Sequence, residues 1–288
     1  HLMARLGEPG EHGLLHSGAR YAVKDHESAI ECIEENQILR RIAPGSFEEN
    51  DGLFVAVTEA DVAYSQDFIK GCRECGIPVQ EMAGEHALRL EPNLNPKTIL
   101  AVRVPDATMD AMRMPLRFFA TAKKNGARIF PYTAVLGILK EGADVVGVHV
   151  VDYTSGKERD IRADLVVNAA GPWCGKIADM AGVDVPIRPS PGVMLAVRGR
   201  LCNMVINRMT PSGDGDIIVP QRGLSVIGTS SWVVDDPDDL KLPQDHIDRM
   251  VEEGEKMIPL VRQAGHRAAW SAARPLIGAR GADTGREL

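Results

Sequence analysis

The chain has 288 residues, with 44% hydrophobic and 25% charged residues and a mean hydropathy of -0.12, a balance that excludes intrinsic disorder as the main state and allows roughly two domains. Thirty-three Lys and Arg against 40 Asp and Glu give a net charge of -7. That excludes a general nucleic-acid binder, which needs an excess of clustered cations, but leaves room for a small anionic substrate held by two or three local ones.

No stretch reaches the ~18 apolar residues that cross a bilayer. The start, His1 to Gly7, lacks the apolar core of a secretory signal, so a cytoplasmic location is expected. Five cysteines make no disulfide framework and suit a reducing compartment. Cys72-Arg73-Glu74-Cys75 reads as a helix end before Gly76, since zinc would want a second pair; no metal is expected.

In chain order, Ile30, Ile33, Ile38 and Ile42 recur at helical spacing, predicting an amphipathic helix over Asp25 to Arg41 that stops at Pro44-Gly45. Gly52 to Val57 is a short apolar strand. Helices follow at Glu59 to Cys75 and Ala83 to Leu90, then a strand at Ile99 to Val104 and a helix from Arg113 to Asn125, closed by Gly126. Ala127 to Phe130 and Ala134 to Leu139 read as strands. Val145 to Val151 and Glu158 to Arg162 alternate around Gly-containing turns, the mark of an antiparallel meander.

Asp164 to Gly171 (Asp-Leu-Val-Val-Asn-Ala-Ala-Gly) predicts a buried parallel strand with something large and flat at its carboxyl end, followed by a helix to Gly182. Short strands come next, at Val193 to Val197, Val205-Ile206, Asp216 to Val219 and Leu224 to Gly228. The acidic run Asp235 to Asp239 is expected as a solvated loop before a helix at Gln244 to Met257. Trp270 to Arg274 returns toward Pro275. The order of helix, meander, apolar strand, Gly and helix matches the second half of an FAD-type dinucleotide-binding domain, whose first half would carry a GxGxxG turn. No such turn is present, so the chain reads as an internal fragment.

Two stretches are candidates for chemistry. His12 to Tyr21 combines glycines, His16 and the Arg20-Tyr21 pair, whose guanidinium fork and hydroxyl suit a phosphate or carboxylate. It reads equally as a surface turn whose Arg and Tyr pack on a neighbour. Arg274 lies in a small, apolar run and is either bound to an anion or solvated at a strand end. Thr229 to Ser231 and Asn207-Arg208 fit a ligand contact or a polar strand end equally well. His26, His86, His149, His246 and His266 are expected to be structural or solvated.

The ordered set His12 to Tyr21, Glu34 to Leu39, Val166 to Gly171, Ile206 to Arg208, Asp216 to Pro220, Ile227 to Ser230 and Ala272 to Leu276 resembles the FAD-dependent glycerol-3-phosphate dehydrogenases, in particular those of the anaerobic type. The resemblance implies an α/β fold with an α+β cap: an incomplete Rossmann-like FAD domain (1–43, 106–183 and 275–288) interleaved with a sheet-based substrate domain (44–105 and 184–274). It implies oxidation of sn-glycerol 3-phosphate to dihydroxyacetone phosphate, with electrons leaving to a quinone through partner subunits at the membrane. By motif, Arg20, Tyr21, Arg274 and Thr229 would hold the substrate, and Arg274 and His16 would act in catalysis. His16, Ser17, Gly18, Val135 and Asn168-Ala169-Ala170-Gly171 would contact FAD.

Pro191-Gly192-Val193 departs from the family's more frequent Lys-Gly-Ser, and His1 to Glu11 matches poorly. Weak FAD binding, or none, is expected of the chain alone. An amino-acid or sarcosine-type oxidase and a non-catalytic, self-associating module are the rival expectations; a homo-oligomer and a peripheral position on the inner membrane face are compatible with the resemblance.

Overall fold

A computed structural model of the chain describes residues 13–278 apart from 212 and 214. His12 and the outer parts of the expected segments 1–43 and 275–288 lie outside the described residues.

The first half begins with β1 (Leu14–Leu15), α1 (His26–Ile42), β2 (Phe47–Glu48), β3 (Gly52–Ala56), α2 (Glu59–Glu74), β4 (Gln80–Ala83), α3 (Gly84–Leu90), β5 (Leu100–Val104) and β6 (Ala107–Met109). Local chemistry sets the helix starts. Asp25 caps α1 by accepting from Ser28 N, and Arg40 and Arg41 sit in its last turn, where the helix dipole favours cations. Thr58 and Asp61 form a reciprocal capping box on α2. The order continues with α4 (Arg113–Lys124), β7 (Thr133–Glu141), β8 (Asp144–Asp152), β9 (Lys157–Arg162), a 3-10 turn (Gly171–Trp173), α5 (Cys174–Met180), β10 (Ile187–Arg198), β11 (Val205–Arg208), β12 (Ile217–Gln221), β13 (Leu224–Gly228), α6 (Gln244–Met257), a second 3-10 turn (Pro259–Gln263) and β14 (His266–Ile277).

Eight strands form one sheet in the order β14-β10-β13-β12-β11-β3-β5-β4, while β7, β8 and β9 form the expected meander as a separate sheet. The two halves of the large sheet are joined by the parallel pair of β11 with β3, Val205 opposite Gly52. On one face Leu53, Val55, Ile206, Ile218, Ile227, Val193 and Leu195 pack with Met250, Met257 and Val261 from α6 and the turn after it. On the other, Phe54, Ala56 and Val102 pack with Ala29 and Ile33 of α1 and Phe68 and Ile69 of α2. Such burial is the main favourable term holding the layers together.

Several expectations change. Ala127 to Phe130 is irregular rather than a strand; there the Phe130 ring is held between the Arg128 and Arg159 guanidiniums, at 4.9 and 4.7 Å. Asp164 to Gly171 is not a buried strand. It joins no ladder, and Leu165 and Val167 are each 78% exposed, because no strand lies beside it among the described residues. The strand expected at Val193 to Val197 extends over Ile187–Arg198 and pairs along its length with β14. The acidic run is the expected solvated loop, in which Asp236 and Asp238 also reach Lys176 and Trp173. Among the described residues, no helix is long and apolar enough to cross a membrane, and no group of three His, Cys, Asp or Glu is placed to hold a metal.

Candidate functional site

Strand register places the candidate residues. Asn207, Ile217, Gly228, Met194 and Trp270 form one continuous row across β11, β12, β13, β10 and β14. Side chains alternate between faces along a strand. Arg274 lies four residues from Trp270, opposite Ser190, and so shares a face with Trp270 and Met194. Arg20 reaches the same face through the Asn207 side chain. The two guanidiniums therefore approach one face of one sheet, from segments at opposite ends of the sequence.

Arg274 lies inside a twelve-residue strand and not at a solvated end. Its Nη2 donates to Thr229 Oγ1 at 2.9 Å and its Nη1 to Ser190 O at 3.5 Å. Gly192 makes room for that pair: a Cβ there would run into Thr229 Oγ1 and Ser230 O, and lie 2.9 Å from Arg274 Nη2. Trp270, Ala272, Met194 and Ala196 give this part of the face an apolar floor.

Arg20 is anchored differently. Its Nη2 donates to Asp216 Oδ2 at 2.6 Å and its Nη1 to Asn207 Oδ1 at 3.3 Å. The side chains of this ion pair are only 10% and 5% exposed. One edge of the guanidinium is thus spent on a carboxylate, which halves the positive charge the two arginines would otherwise offer an anion. Tyr21, on the turn that follows, is exposed.

The His12 to Tyr21 stretch is fixed over the sheet by buried polar groups. Asp106 accepts from Ser17 N at 2.8 Å and from Asn207 Nδ2 at 3.4 Å. Burial pushes the Asp106 carboxyl up from its usual range, against the hydrogen bonds and the Arg20 cation that favour its charge. Asn36 of α1 donates to His16 O at 3.0 Å. The His16 imidazole is pushed down to about 4, first by desolvation and then by Arg20, so it is uncharged at neutral pH. Asp106 did not stand out in the sequence, and Asp216 did so only as part of a motif. Their signal was a carboxylate set directly against an apolar strand, after Pro105 and before Ile217, where a charge needs a partner.

The 3-10 turn beginning at Gly171 packs on β10 and β14, bringing the Asn168 to Gly171 strip to the sheet that carries Arg274. Asn168 Nδ2 donates to Cys174 O at 2.8 Å and Ala170 N to Asn168 Oδ1 at 3.2 Å, so these polar groups are answered within the segment itself. Gly171 has φ +55°, and a Cβ on it would meet nothing within 4 Å. An open backbone strip flanked by bare Leu165 and Val167 fits a flat ring lying against it. Val135 lies in β7 of the meander, opposite Val150. A separate cleft of about 230 Å³ between α5 and the acidic loop is lined by Lys176, Arg188, Asp235 and Pro237. Cys72 and Cys75 are buried and form no disulfide, and burial pushes the Cys72 thiol up to about 12, which suits a packed helix end rather than redox chemistry.

The chain matches the model of the FAD dependent oxidoreductase family over residues 10–286. It belongs to that family. It is 43% identical over 274 residues to a subunit of the anaerobic glycerol-3-phosphate dehydrogenase of Haloferax volcanii, covering 92% of this chain and 47% of that protein. The chain spans about half the length of the curated relatives it matches. The likeness read from the motifs names these same relatives. Among solved structures, it superposes with a TM-score of 0.75 on the FAD-bound L-alpha-glycerophosphate oxidase of Mycoplasma pneumoniae, at 16% identity over 94% of this chain and 73% of that one. It reaches the same TM-score, at 22% identity over 92% and 71%, with the glycine oxidase of Geobacillus kaustophilus. The mixed α/β fold is therefore that of FAD oxidases, and fold alone does not separate phosphate-ester from amino-acid substrates.

Proposed function

We propose that the protein of which this chain is part oxidises sn-glycerol 3-phosphate to dihydroxyacetone phosphate with FAD, passing electrons to a quinone through partner subunits at the inner membrane face. The observation that supports this reading is that Arg20 and Arg274 lie on one face of one sheet, with the Gly171 turn packed on β10 and β14 at the Arg274 end of that sheet. Asn168 to Gly171, with Ser17, Gly18 and Val135, would hold FAD, which when bound would supply the hydride acceptor. Arg274, with Thr229 fixing one of its nitrogens, grips the phosphate through charge-assisted bonds. Arg20 and Tyr21 close the other side and orient the carbon that reacts, a positioning role. His16, kept neutral by burial and Arg20, accepts the hydroxyl proton on an imidazole nitrogen. The segments 44–105 and 184–274 then act as the substrate domain, with 1–43, 106–183 and 275–288 as part of the FAD domain.

One feature favours an amino-acid or sarcosine-type oxidase instead: with Arg20 already answering Asp216, the net positive charge at the site suits a singly charged carboxylate. Turnover by the full-length protein separates the two. Oxidation of glycerol 3-phosphate with no turnover of sarcosine or a D-amino acid is the expected result, and the reverse overturns it. Arg274→Ala should lower kcat/KM for glycerol 3-phosphate by roughly 100-fold or more, the usual consequence of leaving a buried charge pair incomplete.

A further inference from the structure

The acidic run 235–239 is tied on both sides. Upstream, the chain leaves β13 at Gly228 and follows β10: Val193 N donates to Ser230 Oγ at 3.0 Å, Trp232 N to Pro191 O at 3.2 Å and Val234 N to Pro189 O at 3.0 Å. The stretch from Thr229 to Val234 thus moves with the sheet that carries Arg274. Beyond it the loop crosses to the other side. Lys176 Nζ donates to Asp236 Oδ1 at 3.0 Å and lies 3.6 Å from Asp238 Oδ2, and Trp173 Nε1 donates to Asp238 Oδ2 at 3.3 Å. Asp238 N turns back to Asp236 Oδ1 at 3.0 Å, which presents both carboxylates together around Pro237.

Trp173 ends the turn that starts at Gly171, and Lys176 lies in the first turn of α5. Asn168 is bonded to Cys174 O between them. A pull on Trp173 and Lys176 therefore passes directly to Asn168–Gly171, a segment with no ladder of its own. The geometry points to a clasp: Asp236 and Asp238 are positioning residues that hold the Gly171 strip at a set separation from Thr229 and Arg274. This inference rests on the reading of that strip as the wall of the flavin site. The contacts are half-exposed, so each is weak and screened by salt, but three converge on four residues and add to the packing of the Gly171 turn on β10 and β14. The cleft between the loop and α5, lined by Pro172, Arg188 and Asp235, lies under the clasp.

The test uses the full-length flavoprotein carrying Lys176→Glu, Trp173→Phe, or the charge swap Lys176→Glu with Asp236→Lys and Asp238→Asn, the last so that the new carboxylate at 176 faces no other while Trp173 keeps an acceptor. Both single variants change exposed contacts and leave the core intact. Hydrogen exchange of the amides from 168 to 176 should quicken about fivefold in each single variant, as expected when one exposed ion pair restrains a local opening. The dissociation constant for FAD should rise by a similar factor, with kcat falling more than KM changes, and the swap should restore all three. In the wild type, raising salt from low to high ionic strength should produce the same acceleration, and in Lys176→Glu it should not. Exchange and FAD affinity within twofold of wild type in both single variants would overturn the clasp, as would a swap that exchanges as fast as Lys176→Glu alone. Exchange is read without substrate, so a full-length protein that oxidises an amino acid would sink the substrate reading and leave the clasp standing.

Discussion

At the scale of single residues, the strongest constraints are charges placed where water cannot reach them. Arg208 donates to both oxygens of Asp61, at 3.0 and 3.2 Å, and the pair is 13% and 3% exposed. Burial raises the Asp61 carboxyl, but the bonds from Arg208, Val57 and Thr58 outweigh it and hold the group below its usual range. Asp61→Ala strips the partner from a buried guanidinium and one half of the capping box from α2, and should cost about 3–5 kcal/mol in urea unfolding. His16 gives a pH signature. Its folded value of about 4 lies below the unfolded value near 6.5, so the unfolded chain binds the extra proton between those limits. Stability should therefore be full above about pH 6.5 and fall as the pH drops toward 4. His16→Asn should flatten that slope by at least ~1 kcal/mol between pH 7 and 5 in parallel denaturation curves. Arg20, His16 and Arg274 stood out in the sequence because their neighbours are small or apolar. Asp106 did not, and Asp216 did so only within a motif, since their partners Ser17 and Arg20 lie 89 and 196 residues away, and only folding reveals which group each one answers.

At the scale of elements, what was legible depended on how local the cause is. The helix at His26–Ile42 was readable from the spacing of its isoleucines and its Pro44-Gly45 stop, and those at Glu59–Glu74 and Gln244–Met257 were read to within a residue of their ends, because such signals are written within a few residues. The meander was readable from alternation and Gly turns. β10 was read too short because Pro189 and Pro191 argue against a strand. They are accommodated because their carbonyls accept from Val234 and Trp232, a loop rather than a neighbouring ladder that needs their missing N–H groups. Asp164 to Gly171 was read as buried because continuous Val and Leu usually mean burial on both faces. In this chain Leu165 and Val167 are bare, so Leu165→Ser and Val167→Ser should each change the unfolding free energy by less than ~0.5 kcal/mol. Ile206→Val, in the fully buried row of the large sheet, should cost about 1 kcal/mol. Equal costs at the two sites would show that the strip is covered in solution.

At the scale of the whole molecule, Leu165 and Val167 join Leu116 and Phe118 of α4 and Leu136 of β7 as large apolar side chains open to solvent. Exposed apolar surface beside an unpaired extended segment invites association between copies. The 288-residue chain should therefore show concentration-dependent mass in light scattering, and Leu165→Lys with Val167→Lys should shift it toward the monomer. A monomeric wild type at high concentration would contradict this.

The large sheet also imposes an order of events during synthesis. The ladder that unites its halves sets Val205 against Gly52, about 150 residues earlier, so at roughly 5–20 residues per second β3 emerges some 8–30 s before the strand that will cover its edge. For that interval Gly52 to Ala56 is a naked template on the ribosome, and slowing or pausing translation before residue 208 should be the step at which nascent chains are most readily lost to chaperones or aggregates.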